Sequence, residues 1–365
     1  MIKLKHILNQ CFIILYNNTL NNVVKLQTTL FLLLTLGTIN CHAQKSGETV
    51  YQFVEIATSA RTAALGGSPL ALASAYDLSH AITNPAFLSY INEQRISLDY
   101  TNYVAGIAIG QAATSLKFNS IPGTIGISLQ YLNSGQNIRY DNDGNKAGEF
   151  SSNEFALNLS YSQKFGENLS MGATFKPILS YIGGYSSFGL LADFAVGYNF
   201  SNNQTTMSLL LRNMGAQITS YHNQHNDIPF EIQMAISQKL KHAPFRIYIV
   251  FQHLQKYNLT TNDKNPPHES YVITKDNASI PNFADNLLRH TILGLEAFPD
   301  KPFSARLGLN YKRRQELKIK DAPGGAGLSF GFALHLKRFH LDYANTRYSI
   351  GGRSNHFSLA FKFLQ

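Results

Sequence analysis

The chain has 365 residues, a formal net charge of +9, only 15% charged residues and 12% aromatic ones, with 24 Phe, 19 Tyr and no Trp. Its Lys and Arg are scattered, the densest run being Lys312, Arg313 and Arg314, which argues against a nucleic-acid surface. A mean hydropathy of −0.13 excludes a helical membrane bundle, so the many rings need some other apolar medium to lie against.

The long apolar run, 30–36, follows Lys25 and precedes Cys41-His42-Ala43, whose small first and third residues suit signal peptidase. Residues 1–43 therefore read as a signal peptide and leader cleaved after Ala43, the run being far shorter than the roughly twenty residues of a spanning helix. A lipoprotein site at Cys41 is disfavoured by the bulky polar Asn40 before it. Cys11 and Cys41 are the chain's two cysteines and both fall in the leader, so the mature chain is expected to hold no disulfide and no thiolate ligand.

Residues 44–92 carry helix punctuation. Ser59 is a good N-cap before Ala60-Arg61-Thr62-Ala63-Ala64, and Gly66-Gly67 is a stop. A second helix is expected over 74–82, ending before Asn84-Pro85-Ala86.

From residue 93 to 365 the pattern changes to period two. Ile125, Ile127, Leu129 and Tyr131 share one strand face while Thr124, Gly126, Ser128 and Gln130 share the other. Phe155, Leu157, Leu159 and Tyr161 repeat this against Ala156, Asn158, Ser160 and Ser162, and Phe194, Val196, Tyr198 and Phe200 against Asp193, Ala195, Gly197 and Asn199. Strands are expected at 95–102, 107–118, 123–132, 154–165, 169–180, 188–200, 206–212, 230–240, 246–253, 290–298, 303–311, 327–336, 339–345 and 355–363. Alternate connections are short (119–122, 166–168, 201–205, 241–244, 299–302, 337–338), and the intervening ones are mostly long and polar (133–153, 213–229, 254–289, 312–326). A soluble sandwich also alternates, but short turns at one end and long loops at the other are the mark of a membrane barrel with two unlike ends. The last strand, with Phe357, Leu359, Phe361 and Phe363 on one face, has to pair with the first. The expected fold is thus all-β, a transmembrane antiparallel barrel of about fourteen strands. Its lumen is too wide for wall side chains to fill, so 44–92 is read as an N-terminal plug of short helices in preference to a periplasmic extension outside the barrel, with Ser59, Arg61, Gly66, Gly67, Asn84 and Pro85 as its candidate key residues.

Catalytic and metal signals are weak. Asp141-Asn142-Asp143-Gly144-Asn145 begins like a calcium loop, but the twelfth position is Ser152 rather than Glu. His222, His225 and Asp227 read as polar loop before metal site. Gly324, Gly325 and Gly327 lack the strand and helix that a phosphate cradle needs. Serine and histidine are plentiful, with no motif selecting a nucleophile and its base. The expectation is no enzyme, no cofactor and no metal.

Several longer runs resemble the PorV/PorQ family of barrels, and its PorQ members in particular, themselves similar to the FadL-type transporters of hydrophobic compounds. The runs are Thr49-Val50-Tyr51-Gln52-Phe53, Ser59 to Gly67, Asn84-Pro85-Ala86, Ser187-Phe188-Gly189-Leu190-Leu191-Ala192-Asp193, Pro229-Phe230-Glu231-Ile232-Gln233, and Lys239 to Arg246. Phe283-Ala284-Asp285, Leu288-Arg289-His290, Tyr311 to Leu317 and Ser354-Asn355-His356-Phe357-Ser358 continue the likeness; the long leader and a polar insertion at 266–279 depart from it. The resemblance implies an outer-membrane part of the type IX secretion system, holding a PorZ-like surface protein in an attachment complex with PorU and PorV. Tyr221, Tyr257, Tyr271, Arg313 and Arg314 in the long loops are the candidate partner contacts. The alternative is a FadL-like transporter, for which Leu65, Leu70, Leu72 and Phe87 either line a lumenal pocket or equally well pack the plug against the wall. An outer-membrane lipase ranks third.

Overall fold

The computed structural model describes residues 49–91, 93–141, 143–200, 204–222, 225–259, 282–317, 324–336, 338–348 and 352–362. The expected leader, Tyr271, the insertion at 266–279 and Phe363 lie outside them.

Among the described residues are sixteen strands: β1 (Arg95–Asn102), β2 (Ala108–Lys117), β3 (Thr124–Asn133), β4 (Asn137–Tyr140), β5 (Lys146–Phe150), β6 (Ser152–Phe165), β7 (Leu169–Ile182), β8 (Tyr185–Asn199), β9 (Thr205–Thr219), β10 (Glu231–Lys239), β11 (Phe245–Phe251), β12 (Thr291–Ala297), β13 (Phe303–Asn310), β14 (Leu328–His335), β15 (Phe339–Arg347) and β16 (Arg353–Lys362). Fourteen of them, all but β4 and β5, form one closed barrel. Closure is antiparallel between β1 and β16, running from Arg95 opposite Lys362 to Asn102 opposite Asn355, so no strand edge is left to lipid.

The alternation sorts side chains as a bilayer requires. Leu98, Leu129, Leu159, Phe194 and Phe357 point outward and are exposed, while Ser97, Ser128, Ser160, Asp193 and Ser358 point into the lumen and are buried. An apolar exterior around a polar interior inverts a water-soluble protein and matches a transmembrane barrel. No described helix is long and apolar enough to cross a membrane; the crossing is made by strands.

Three local features differ from the reading of the sequence. The connection 133–153 folds into the antiparallel hairpin β4–β5, closed by the Asp141 carboxylate, which accepts the backbone N–H groups of Asp143 and Asn145. Strand β9 continues to Thr219 instead of stopping at Arg212, because a bulge opposite Asp193, with Asn213 at φ 55°, breaks the period-two pattern without ending the strand. Between β7 and β8 the link is only Gly183-Gly184, both at positive φ (57° and 96°), the conformation that a tight hairpin turn demands. The connections around β12 and β13 also contain helix, as given below.

Inside the barrel lie α1 (Ala60–Ala64), α2 (Leu78–Thr83) and two 3-10 turns, Gln52–Glu55 and Pro85–Tyr90. The second helix starts at Leu78 rather than at 74, since the Asp77 side chain accepts the His80 N–H and caps it there. Beyond the barrel wall stand α3 (Asn282–Arg289) and α4 (Tyr311–Leu317).

Candidate functional site

The plug is seated first by α1. Ser59 caps the helix by accepting the Thr62 N–H, and the wall completes the cap when Ser358 of β16 accepts the Ala60 N–H at 2.9 Å. Gly66 and Gly67 end it at φ 108° and 89°, a region that suits glycine. They are also needed for space: a Cβ on Gly66 would lie 2.2 Å from Ile292 and one on Gly67 2.9 Å from the Arg313 guanidinium.

Arg61, 3% exposed, reaches from α1 to Asp77 at 2.9 Å and to Glu296 of β12 at 3.1 Å. Glu296 also takes Arg306 of β13 at 2.8 Å and the Tyr248 hydroxyl of β11 at 2.7 Å, and Arg306 continues to Asp342 of β15. Two guanidiniums and three carboxylates thus share one dry cluster that joins plug to wall. In the plug, burial alone would raise Asp77, but Arg61 and then His80 outweigh it and hold its carboxyl at about 2. Burial lowers the neighbouring His80 to about 4 against the pull of Asp77, so it stands neutral. Removing one partner of so buried an array leaves an uncompensated charge, at about 3–5 kcal/mol.

The opposite side of the plug meets β7 to β10. Asn84 donates to the Leu70 carbonyl at 2.9 Å and to Ser208 of β9 at 3.2 Å. The Pro85 carbonyl packs onto Gly172 of β7, where a Cβ would come within 2.2 Å. Higher in the lumen, Lys176 pairs with Asp193 across the β9 bulge, and Asp193 accepts the Asn213 N–H at 2.8 Å. Arg212 pairs with Glu231 and donates to the Val54 carbonyl of the plug at 3.0 Å. Between these groups lies a cavity of about 40 Å³, lined by the polar Glu55, Gln111, Gln130, Asn158, Lys176 and Arg212 and by the apolar Val54, Ile56 and Ile82 among others, and sized for a few waters. Leu65, Leu70, Leu72 and Phe87 are not its lining. They are fully or nearly fully buried against Ala235, Tyr248, Val250 and Ile292, packing the plug onto the wall.

At the end with the long connections the rim is uneven. Strands β6, β7, β8 and β9 have 14, 14, 15 and 15 residues, more than the 9–11 or so that cross lipid, and β10 pairs with β9 only as far as Arg212. The upper parts of β7 to β9, with β4–β5 beside them, therefore rise as a wing that exposes Tyr140, Tyr181, Tyr185 and Ile218. Of the loop residues singled out from the sequence, Tyr257 is 80% exposed. Tyr221 instead donates to Ser180 at 2.6 Å, and Arg313 lies 4.5 Å over the Tyr348 ring beside Gly67. Arg314 is half-buried against Gly327. The plug candidates gather at two wall contacts, whereas the loop candidates do not form one patch.

Residues 40–182 match the sequence model of the family described as Type IX secretion system protein PorV. The match ends with β7 and so takes in the plug and the first strands. No curated protein matches the chain. Among solved structures, the CymD monoaromatic hydrocarbon channel is 10% identical over 87% of this chain and 100% of that one, with a TM-score of 0.51, and shows a shared fold. The Pseudomonas putida toluene transporter TodX (11% identity, 84% and 96% covered, TM-score 0.47) and a Pseudomonas aeruginosa FadL homologue (11%, 84% and 98%, 0.48) align less well. With its lipid-facing belt and even strand number, the chain is a multi-pass barrel of the outer membrane.

The sequence reading missed Asp77, Tyr248, Glu296, Arg306 and Asp342 as partners of Arg61. A usable signal was there: Glu296, Arg306 and Asp342 are charged residues on the small, polar face of their strands, and a charge facing a filled lumen needs a partner there. The metal candidates are engaged separately, His222 against the Tyr185 ring and His225 with the Gln217 carbonyl. Gly327, at φ 79° and with a Cβ position 2.5 Å from the Asn310 carbonyl, serves the turn into β14. Ser354 and His356 share a 2.7 Å contact, with Thr101 on the other ring nitrogen, deep in the lumen wall.

Proposed function

We propose that this barrel is a PorQ-like component of the type IX secretion machinery that anchors a surface protein, PorZ-like in kind, without catalysing a reaction, and that it works beside PorU and PorV in an attachment complex. The observation that carries the reading is the raised wing of β6 to β9 with its exposed tyrosines, a rigid aromatic surface of the sort that protein partners use. The family match over 40–182 supports the secretion context. Cross-linking intact outer membranes and purifying the barrel should recover a surface protein in stoichiometric amount. Tyr140→Ala, Tyr181→Ala and Tyr185→Ala together should release that protein into the medium while the barrel stays folded by gel mobility. Retention of every partner by the triple variant would overturn the reading.

Transport of a hydrophobic small molecule is the second reading, supported by the shared fold with a hydrocarbon channel. It requires the plug to leave its seat, because the cavity between Glu55 and Arg212 is of about 40 Å³, far short of the roughly 300 Å³ or more of a small-molecule site. Under that reading, uptake of a monoaromatic compound would rise or vanish with Arg61→Met and be untouched by the tyrosine variants.

A further inference from the structure

Helix α3, just before β12, is built the wrong way round for a helix at an aqueous surface. Its apolar residues Phe283, Leu287 and Leu288 are 67%, 50% and 38% exposed, whereas the side chains of Asp285 and Arg289 are only 22% and 17% exposed. The polar face is turned inward and fully used. Asp285 binds Arg289 at 2.7 Å and accepts the Tyr311 hydroxyl of α4 at 2.9 Å, and Asn286 accepts the Leu259 N–H and donates to the Tyr257 carbonyl. These bonds fix the rotation of the helix, so the outward apolar ridge does not arise from a free turn of the segment. In water a helix buries its apolar stripe and wets the polar one.

The ridge is also in line with the membrane face of the barrel. Phe283, Leu287 and Thr291 are spaced by four, the Thr291 hydroxyl donates to the Leu287 carbonyl at 3.0 Å, and Thr291 begins the outward row of β12 that continues as Leu293 and Leu295. Across the pair, Thr291 stands opposite Phe251 and Leu293 opposite Ile249 and Leu309. The lipid-facing surface therefore runs from β12 onto the helix with Thr291 as its one polar member, and the hydroxyl of Thr291 is bonded to the Leu287 carbonyl.

We propose that α3 lies in the headgroup–acyl boundary of the bilayer at the rim with the long connections, with Phe283 and Leu287 as its membrane contacts, an interfacial anchor outside the barrel wall. The occupant of the ridge is lipid, and the inference stands whether the barrel anchors a protein or transports a solute. Such a helix would pin the connection 252–290 to the membrane plane and set how far its remaining residues stand out.

The absence of Trp from the sequence gives a direct test. Phe283→Trp is compared with Leu293→Trp, facing acyl chains, and Tyr140→Trp, on the β4–β5 hairpin, each in the full mature protein reconstituted into phosphatidylcholine vesicles and checked for folding by gel mobility. Lipid brominated in the upper acyl chain should quench Phe283→Trp to about half or more of the extent seen for Leu293→Trp, with a blue-shifted emission and weak acrylamide quenching, while leaving Tyr140→Trp unaffected. Acrylamide quenching of Phe283→Trp equal to that of Tyr140→Trp would overturn the proposal. So would emission shielded from acrylamide yet untouched by brominated lipid, since that pattern means protein covers the ridge. Phe283→Ser with Leu287→Ser supplies a second readout: it should raise protease cleavage within 252–290 several-fold in vesicles, and no increase would also count against the assignment.

Discussion

Arg61 is the residue on which the seating of the plug turns. Its guanidinium bridges two carboxylates that come from different parts of the chain, one nitrogen on Asp77 of the plug and the other on Glu296 of the wall, and a lysine cannot reproduce that fork. Arg61→Met should cost about 3–5 kcal/mol because Asp77 is left buried without its cation, read as a lower urea midpoint in vesicles and as new protease cleavage within 49–91. Adding Asp77→Asn should return a large part of the loss, since the two residues are coupled; additive losses would show that the pair is not a unit. A second residue, Glu55, gives the plug a pH dependence. Burial, and after it Glu231, push its carboxyl from 4.5 up to about 7, against Arg212 and Lys312. The docked plug thus holds this proton more tightly than the free segment, so the Glu55 contribution is greatest below pH 4.5, is lost as pH rises through about 7, and is flat above. His80 works in the opposite sense: buried and lowered from 6.5 to about 4, it favours docking increasingly as pH rises across that interval. Protease protection of the plug should therefore decline from pH 6.5 through about 7 and level off above, and Glu55→Gln should abolish that decline. A decline that survives Glu55→Gln belongs to another group.

At the scale of strands, the two faces of β3 make unlike demands. Leu129 is 48% exposed on the lipid side and Ser128 is 1% exposed in the lumen. Leu129→Arg should cost about 2–4 kcal/mol in lipid if it lies near the bilayer midplane. Ser128→Arg looks cheaper from the sequence, because a lumen is polar. The structure reverses that expectation: Ser128 accepts Asn158 of β6 at 2.8 Å, and Leu88 and Ile82 of the plug lie against the adjoining Gly126. A large side chain there has to displace plug or wall, so Ser128→Arg should also destabilise the barrel, and removal of residues 49–91 should relieve its cost but not that of Leu129→Arg. Unfolding titrations of the four proteins in one lipid would decide this, and equal relief for both substitutions would refute the assigned facing. The same contrast explains how far the elements could be read in advance. Period-two patterning reports the lipid face directly, so each of the fourteen barrel strands was legible. It fails where the backbone departs from the pleat, as at Asn213, whose bulge hid nearly half of β9, residues 213–219, and where no side face meets lipid, as in the β4–β5 hairpin. The candidate site was legible only on its plug side. Ser59, Gly66 and Gly67 announce a cap and a stop, but the charged wall cluster that Arg61 meets on β12, β13 and β15 is brought near by closure, a long-range fact that local pattern does not carry.

For the whole molecule, the plug threads from one end of the barrel to the other. Thr49 forms a parallel bridge with Asp227 in the connection after β9, at the end with the long connections, and residue 95 opens β1 at the end with the short turns. The runs that carried the family resemblance meet along this path: Tyr51 bonds Ser187 at 2.5 Å and fills the space over Gly189, and Gln233 donates to Ser68 and to the Pro69 carbonyl. Part of the resemblance thus follows the plug–wall contact, and part lies in the connections, at 239–246, 283–290 and 311–317. Outer-membrane barrels keep their short turns on the periplasmic side and their long loops outside, which puts the wing of β6 to β9 at the cell surface, where a surface protein can reach it. Residues 44–365 contain no cysteine, so with Cys11→Ser and Cys41→Ser a single introduced thiol reports sidedness without background. Lys146, on the exposed β4–β5 hairpin, and Glu167, in the short turn between β6 and β7, are both exposed and both remote from the plug. Lys146→Cys should react with a membrane-impermeant maleimide in intact cells, and Glu167→Cys only after the outer membrane is permeabilised. The opposite pattern would mean that the barrel is inserted with its wing toward the periplasm, and an anchor for a surface protein would then have to be sought in the short turns.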